Sequence, residues 1–141
     1  LINFVKEKQL NNVIFHDSIE KKTIPDLLSK LDCLLISWKN LEELYKYGIS
    51  PNKLLDYMMA GKPIIHAVNA GNDPVKDSGC GISVPAEDSE AFANAIIRMM
   101  NTSKEERSFM GIKGREYVIK NNDYRVLAQK YINLMKSLLG E

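Results

Sequence analysis

The chain has 141 residues, a formal net charge of +1 and 45% hydrophobic residues, which predicts one domain with a substantial core. Its charges are spread evenly, and this argues against nucleic acid or an anionic membrane as a partner. Cys33 and Cys80 show no metal-type spacing, and Cys33 lies in an apolar run, so we predict reduced thiols and a cytoplasmic location. No apolar run reaches the roughly 20 residues that a transmembrane helix needs.

The first quarter of the chain alternates helical and strand patterns. It starts in what reads as the middle of an amphipathic helix, and Val13–His16 follows as a short buried strand. The next helix is predicted to run to Lys30, with Thr23 and Asp26 forming a capping box. Residues 32–37 are continuously apolar at their centre, which is typical of a parallel strand covered on both faces.

The next predicted helix gathers polar residues at its start. Ser50 is predicted as its N-cap and Pro51 as its first residue, and Gly61 ends it before a strand over 64–68. A helix start has free backbone N–H groups and a partial positive charge, which suit a phosphate. Asp56 lies on the second turn of this helix, where a carboxylate could bind a sugar hydroxyl.

The rest of the chain is predicted to be mostly helical. A loop over 69–81 with one helical turn leads to a short strand at 82–84. Helices are then expected to start near Asp88 and at Ser103, and a final helix over 121–139 carries an apolar stripe that begins at Tyr124. Alternating strands and helices imply a parallel sheet with helices on both faces, where ligands bind beyond the carboxyl ends of the strands.

These motifs resemble a known family. The segment Gly48–Pro63 resembles the donor-binding motif of retaining glycosyltransferases of family 4, which have the GT-B fold. Val13–His16 resembles the family's strand before its base-binding loop, Ile24–Asp32 the helix that follows, and Ser78–Pro85 the turn and strand before the terminal helices. The resemblance covers nearly the whole chain but only the carboxy-terminal half of such an enzyme. It is closest to bacterial members that build surface polysaccharides from nucleotide-activated N-acetylamino sugars.

The resemblance implies an α/β fold, a Rossmann-like three-layer parallel sheet that is half of a GT-B fold. We therefore expect residues 1–141 to be one nucleotide-sugar-binding domain, truncated at its amino-terminal end. A terminal helix over 121–139 would pack on the missing domain. The family's basic pair and glycine-rich loop would precede Leu1.

The resemblance also implies a donor site. The diphosphate would meet the backbone at Asn52 and Lys53, the ribose would bind Asp56, and the nucleobase would lie at the loop after the first strand. The family's first carboxylate, which touches the donor sugar, falls on Gly48, which has no side chain. The full set of expected donor-binding residues is His16, Ser18, Ile19, Gly48, Ile49, Ser50, Pro51, Asn52, Lys53 and Asp56.

The implied function is sugar transfer from a nucleotide sugar, with UDP as the expected nucleotide. The acceptor would be a saccharide or a polyprenyl-linked molecule bound by the missing amino-terminal domain, so this fragment alone should be inactive. No cofactor and no metal are expected, because the sequence has no Asp-x-Asp motif and no histidine cluster. The full-length enzyme would be cytoplasmic, at most peripheral to the inner face of the plasma membrane.

The residues by themselves leave plainer interpretations open. Asn52 and Lys53 also fit an ordinary capped helix, and Asp56 fits an acid that the helix dipole favours. His16 on its own is a poor marker of function, and His66 is predicted to be structural within a buried strand. The aromatic residues of the 38–47 connection could stack on a sugar or base, fill the core or contact another domain; they are Trp38, Tyr45 and Tyr47.

Two other functions remain as alternatives. One is the half-domain of a sugar-nucleotide epimerase, which would need acidic and histidine residues that the sequence does not offer. The other is a non-catalytic α/β binding or regulatory domain.

Overall fold

A sheet of three parallel strands forms the centre of the molecule. The computed structural model describes residues 1–140. The strands are β1 (Leu34–Ser37), β2 (Ile64–Ala67) and β3 (Gly81–Val84), and they lie side by side in chain order. Ile64 pairs with the first residue of each neighbouring strand, so all three begin in register. Their carboxyl ends therefore meet at one edge of the sheet.

Helices connect the strands and cover the sheet. Within residues 1–140 there are eight α-helices, and a 3-10 turn at Lys21–Thr23 leads directly into the second of them. The helices are α1 (Ile2–Glu7), α2 (Ile24–Ser29), α3 (Glu42–Tyr45), α4 (Asn52–Met59), α5 (Pro74–Ser78), α6 (Ser89–Asn101), α7 (Lys104–Asn122) and α8 (Tyr124–Leu139).

Hydrophobic side chains pack on both faces of the sheet. On one face Leu34 and Ile36 of β1 pack with Leu54 and Met58 of α4, in a cluster that also reaches α5 and α7. On the other face Ile65 of β2 packs against α6. The prediction of a parallel α/β sheet with helices on both faces is confirmed.

The strand predicted at Val13–His16 is wrong. This segment has no regular structure, pairs with no described strand, and leaves the Ile14 side chain 76% exposed. A strand forms only where a neighbour satisfies its backbone groups, and among residues 1–140 none does so here. Its apolar composition alone therefore does not make it a strand.

The prediction that β1 is covered by helices on both faces is also wrong. The side chains of Leu34 and Ile36 are buried, but Leu35 on the opposite face is 46% exposed. In β2, by contrast, all four residues are buried, as a central strand requires. The predicted pattern of a fully covered strand thus holds for the middle of the sheet and fails at its edge.

Two predicted helix starts need correction. The Thr23 hydroxyl does not cap α2, because it donates to the Glu20 carbonyl at 2.8 Å within the 3-10 turn. Helix α4 starts one residue later than predicted, with Pro51 as N-cap in an extended conformation and no capping bond from Ser50. Purely local caps are confirmed: the Ser103 hydroxyl accepts from the Glu106 N–H at 3.1 Å.

Helix α7 lies unusually close to two neighbouring backbone segments. A Cβ atom built on Gly111 would clash with the Gly61 carbonyl oxygen at the end of α4. A Cβ on Gly114 would lie 2.9 Å from the Cβ of Cys80. Both glycines are buried, so the absence of side chains at these positions lets α7 approach. Nothing in the helical pattern of the sequence predicted this contact.

The helices that the structure describes differ from membrane-spanning helices. No helix within residues 1–140 combines the length and the apolar character that crossing a bilayer requires.

Candidate functional site

The start of α4 offers unpaired donors at the carboxyl edge of the sheet. The Pro51 carbonyl accepts from the Leu54 N–H at 3.0 Å, which closes the first turn. The N–H groups of Asn52 and Lys53 donate to no atom within residues 1–140, and no side chain caps the helix. Both residues are exposed, so two amides and an ammonium group point to solvent at the positive end of the helix.

The loop before α4 has a constrained backbone. Gly48 has φ +107°, a conformation that favours glycine, and its N–H donates to the Tyr45 carbonyl at 2.9 Å. Ile49 is half-buried and Ser50 is exposed. The predicted residues from Gly48 to Lys53 therefore form one continuous surface, although Ser50 contributes no cap.

A cavity opens beside Asp56, one turn further along α4. Its volume is about 240 Å³, and it lies between α4 and the start of α2. Apolar walls from Ile24, Pro25 and Met59 surround two charged groups, the Asp56 carboxylate and the Lys21 ammonium. A mostly apolar cavity with a few polar groups is typical of a small-molecule site. Lys21 was not predicted to contribute to this site.

The segment predicted to read a nucleobase lies just before this cavity in the chain. His16, Ser18 and Ile19 are exposed and belong to no helix or strand. None of the three lines the cavity, whose first lining residue is Lys21. Asp56 and Lys21 thus line the same cavity, whereas His16, Ser18 and Ile19 lie outside its wall.

The aromatic residues of the connection after β1 separate into two environments. The rings of Trp38 and Tyr45 pack edge to face with centroids 5.9 Å apart. Tyr47 is 90% exposed, with the Lys46 ammonium 5.2 Å from its ring centroid. Trp38 and Tyr45 therefore have a packing role, while the Tyr47 ring faces solvent.

A chain of hydrogen-bonded side chains joins three elements of the fold and was missed by sequence reasoning. The Trp38 indole Nε1–H donates to His66 Nε2 at 3.0 Å, and His66 Nδ1 lies 3.0 Å from Asp73 Oδ1. Because an indole can only donate, His66 Nε2 must be the acceptor, so Nδ1 carries the proton and donates to Asp73. His66 is fully buried within β2, as predicted, and its two hydrogen bonds connect the residue after β1 to the N-cap of α5.

Asp73 concentrates several hydrogen bonds on one oxygen. Its Oδ1 also accepts from the N–H groups of Val75 and Lys76, which caps α5. Partial burial opposes ionisation of this carboxyl, but the hydrogen bonds from His66 and Lys76 outweigh it and lower the pKa of Asp73 below its ordinary value of 3.8. The carboxylate is therefore charged under physiological conditions.

We expect Asp73 to make folding stability depend on acid pH. Because its pKa is lower in the folded state, its stabilising effect is complete above pH 3.8 and is lost as pH falls through the folded-state pKa. Urea unfolding of wild type and Asp73→Asn at pH 7 and pH 3 measures this. The wild type should lose more unfolding free energy between the two pH values than the variant, and equal losses would contradict the assignment.

The two cysteines form no disulfide, and the described residues hold no group of metal-binding side chains. Cys33 and Cys80 are both free. Burial raises the pKa of the Cys33 thiol to about 11 and also raises the pKa of the buried Cys80 thiol, so both are protonated near neutral pH. Across residues 1–140, no group of three or more His, Cys, Asp or Glu side chains is placed to hold a metal ion.

Comparison with known proteins identifies the family to which this chain belongs. Residues 2–102 match the family described as Glycosyl transferases group 1, and the chain belongs to that family. A solved structure, sucrose-phosphate synthase from Thermosynechococcus elongatus, superposes with a TM-score of 0.77 at 23% sequence identity. The match covers 99% of this chain and 33% of that chain, so this chain spans about a third of that protein. Among curated protein sequences, none matches.

These matches confirm the coarse predictions. The fold is an α/β, Rossmann-like arrangement that matches a domain of a GT-B glycosyltransferase. The family match agrees with the expectation that the chain is a domain of a glycosyltransferase.

Proposed function

We infer that this chain is the donor-binding domain of a retaining, family 4 glycosyltransferase that uses a UDP-sugar. One observation carries the inference: the free N–H groups of Asn52 and Lys53 lie one helical turn from Asp56, and the Asp56 side chain lines a cavity. Four residues of helix span about 6 Å. The phosphates and the ribose diol of one nucleotide are separated by a comparable distance.

The helix start would hold the diphosphate. In the transfer step the bond between the anomeric carbon and the β-phosphate oxygen breaks, the acceptor oxygen bonds to the anomeric carbon, and the acceptor's proton is released to water. The departing diphosphate gains charge, which the amides of Asn52 and Lys53 and the Lys53 ammonium would stabilise. In this proposal these groups of the chain carry the leaving-group charge, with no cofactor assigned.

The nucleoside would extend along α4 from the diphosphate. The Asp56 carboxylate would accept hydrogen bonds from the ribose hydroxyls, and the apolar walls beside it would cover one side of the sugar. The exposed backbone of His16, Ser18 and Ile19 would read the base, since it leads directly to Lys21 at the cavity.

The acceptor would be bound outside this chain. Helix α8 supports a second domain, because none of its residues is buried and most of its apolar side chains are exposed. We propose that the α8 face formed by Tyr131, Met135 and Leu138 packs on the domain that binds a saccharide or polyprenyl-linked acceptor. The donor sugar would be an N-acetylamino sugar, and the complete enzyme would work at the cytoplasmic face of the plasma membrane.

Calorimetric titration of the chain with UDP tests the donor site. We expect saturable binding at millimolar or lower concentration, with uridine binding more weakly because it lacks the diphosphate. Absence of saturable UDP binding at millimolar concentration would contradict the proposal. In the complete enzyme, NMR of the product tests the retaining step, which predicts the same anomeric configuration in product and donor.

A further inference from the structure

The side chain of Asn72 holds both backbone groups of one residue in the loop before α4. Asn72 lies in the connection between β2 and α5. Its Oδ1 accepts from the Ile49 N–H at 2.7 Å, and its Nδ2 donates to the Ile49 carbonyl at 3.0 Å. A single amide thus pairs with Ile49 as a neighbouring β-strand would, across 23 residues of sequence.

Two glycines let the loops come this close. The Gly71 N–H donates to the Tyr45 carbonyl at 2.9 Å, and a Cβ on Gly71 would clash with the Lys46 carbonyl. A Cβ on Gly48 would lie 2.9 Å from Asn72 Oδ1, closer than real Cβ atoms approach. A side chain at either glycine would therefore push the two loops apart.

Asn72 is itself held by a rigid element. The next residue, Asp73, is the N-cap of α5 and accepts from His66 in the buried strand β2. The position of the Asn72 backbone is therefore set by the sheet. Ile49 lies three residues before Asn52, so the amide of Asn72 connects the sheet to the segment that enters α4.

We propose that Asn72 is a positioning residue for the diphosphate, acting through the Ile49 backbone on the amides of Asn52 and Lys53. The inference rests on the proposed donor site at the start of α4. Asn72 need not touch the nucleotide. Without its amide, the loop from Lys46 to Ser50 loses its two bonds to the β2–α5 connection at Ile49, and the direction in which α4 begins is less tightly fixed.

A pair of asparagine variants tests this inference. In Asn72→Ala we expect UDP to bind about tenfold more weakly, a change of 1.4 kcal/mol, and uridine binding to stay within about twofold. The matched control is Asn69→Ala, in the same connection. Asn69 also makes two hydrogen bonds, but to Asn40 and Ala86, away from the loop before α4. The control should bind UDP within about twofold of wild type.

A second measurement needs no ligand. Amide hydrogen exchange at Ile49 should quicken by about tenfold or more in Asn72→Ala, because its N–H loses its acceptor, and should not change in Asn69→Ala. Asn72→Gln keeps the amide but moves it by one methylene, and it should reproduce both effects. Thermal unfolding followed by circular dichroism checks that each variant is folded.

The outcomes separate this inference from the proposed function. Failure of the wild-type chain to bind UDP overturns the donor site, and with it the role of Asn72. UDP binding by wild type and Asn72→Ala with equal affinity overturns only the positioning role. Unchanged exchange at Ile49 in both Asn72 variants shows that the two hydrogen bonds do not hold the loop, which also overturns it.

Discussion

Asp56→Ala is expected to weaken UDP binding by the chain, and to lower kcat/KM of the complete glycosyltransferase, by about 100-fold. Hydrogen bonds to a charged group contribute about 1.5–3 kcal/mol, and 2.7 kcal/mol corresponds to a factor of 100. The Asp56 side chain is exposed at the cavity mouth and makes no hydrogen bond within residues 1–140. Its removal should therefore leave the unfolding free energy within about 0.5 kcal/mol of wild type.

Variants of the same position and of a distant carboxylate sharpen this experiment. Asp56→Glu keeps the charge and should retain most of the activity. Asp56→Asn keeps the shape without the charge, and its UDP affinity and kcat/KM should lie between those of wild type and Asp56→Ala. Asp77→Ala removes an exposed acid from α5, outside the cavity, and should change neither UDP affinity nor kcat/KM. Equal losses in Asp56→Ala and Asp77→Ala would show that net charge, not ribose recognition, is involved.

The features that the sequence predicted correctly are marked by neighbouring residues along the chain. The strand predicted at 64–68 is apolar except for His66 and lies between a helix-ending glycine and a polar loop, and it forms the fully buried β2 (Ile64–Ala67). The Ser103 cap works because its acceptor and donor are three residues apart. The cap needs no distant residue, and the strand pattern is recognisable locally although β2 also needs its partners β1 and β3.

The failures share a dependence on distant partners. Val13–His16 has the composition of a strand, but no described strand pairs with it. Helix α4 was predicted to start at Pro51 but starts at Asn52, and the preceding loop is bound to Asn72, which is far away in sequence. Local preference for Ser at an N-cap cannot anticipate a contact of that kind.

The candidate site shows the same division. Asn52, Lys53 and Asp56 come together because they lie within one turn and a half of a helix, and the sequence alone predicts that. Lys21 and Asn72 reach the site only through tertiary folding. The bonds of His66 to Trp38 and Asp73 likewise join three separate elements, and no spacing in the sequence announces them.

Gly111→Ala should lower the unfolding free energy by about 3 kcal/mol, a large loss of stability for a single added methyl group. The added Cβ would clash with the Gly61 carbonyl, and no rotamer can relieve a contact between a Cβ and a backbone atom. Alanine favours a helix interior over glycine by about 1 kcal/mol, so a net loss means that the clash outweighs this gain.

Two controls separate the clash from other effects of alanine. Arg115→Ala changes an exposed position on α7 and should stay within about 0.5 kcal/mol of wild type. Residue 61 has a positive φ, and only one atom, the Gly111 oxygen at 3.9 Å, lies near a Cβ built there. Gly61→Ala should therefore lower the unfolding free energy by about 1 kcal/mol through backbone strain. Urea unfolding measures all three, and a Gly111→Ala loss no greater than that of Gly61→Ala would contradict the close contact.

The Gly111 contact also bears on the site, because Gly61 follows the end of α4. Relief of the clash requires α7 and the end of α4 to move apart, and α4 carries Asp56 one turn before that end. We therefore expect Gly111→Ala to weaken UDP binding even at temperatures where the chain remains folded, while Arg115→Ala does not. Unchanged UDP affinity in a folded Gly111→Ala variant would place the adjustment in α7 alone, with α4 held by its own packing on the sheet.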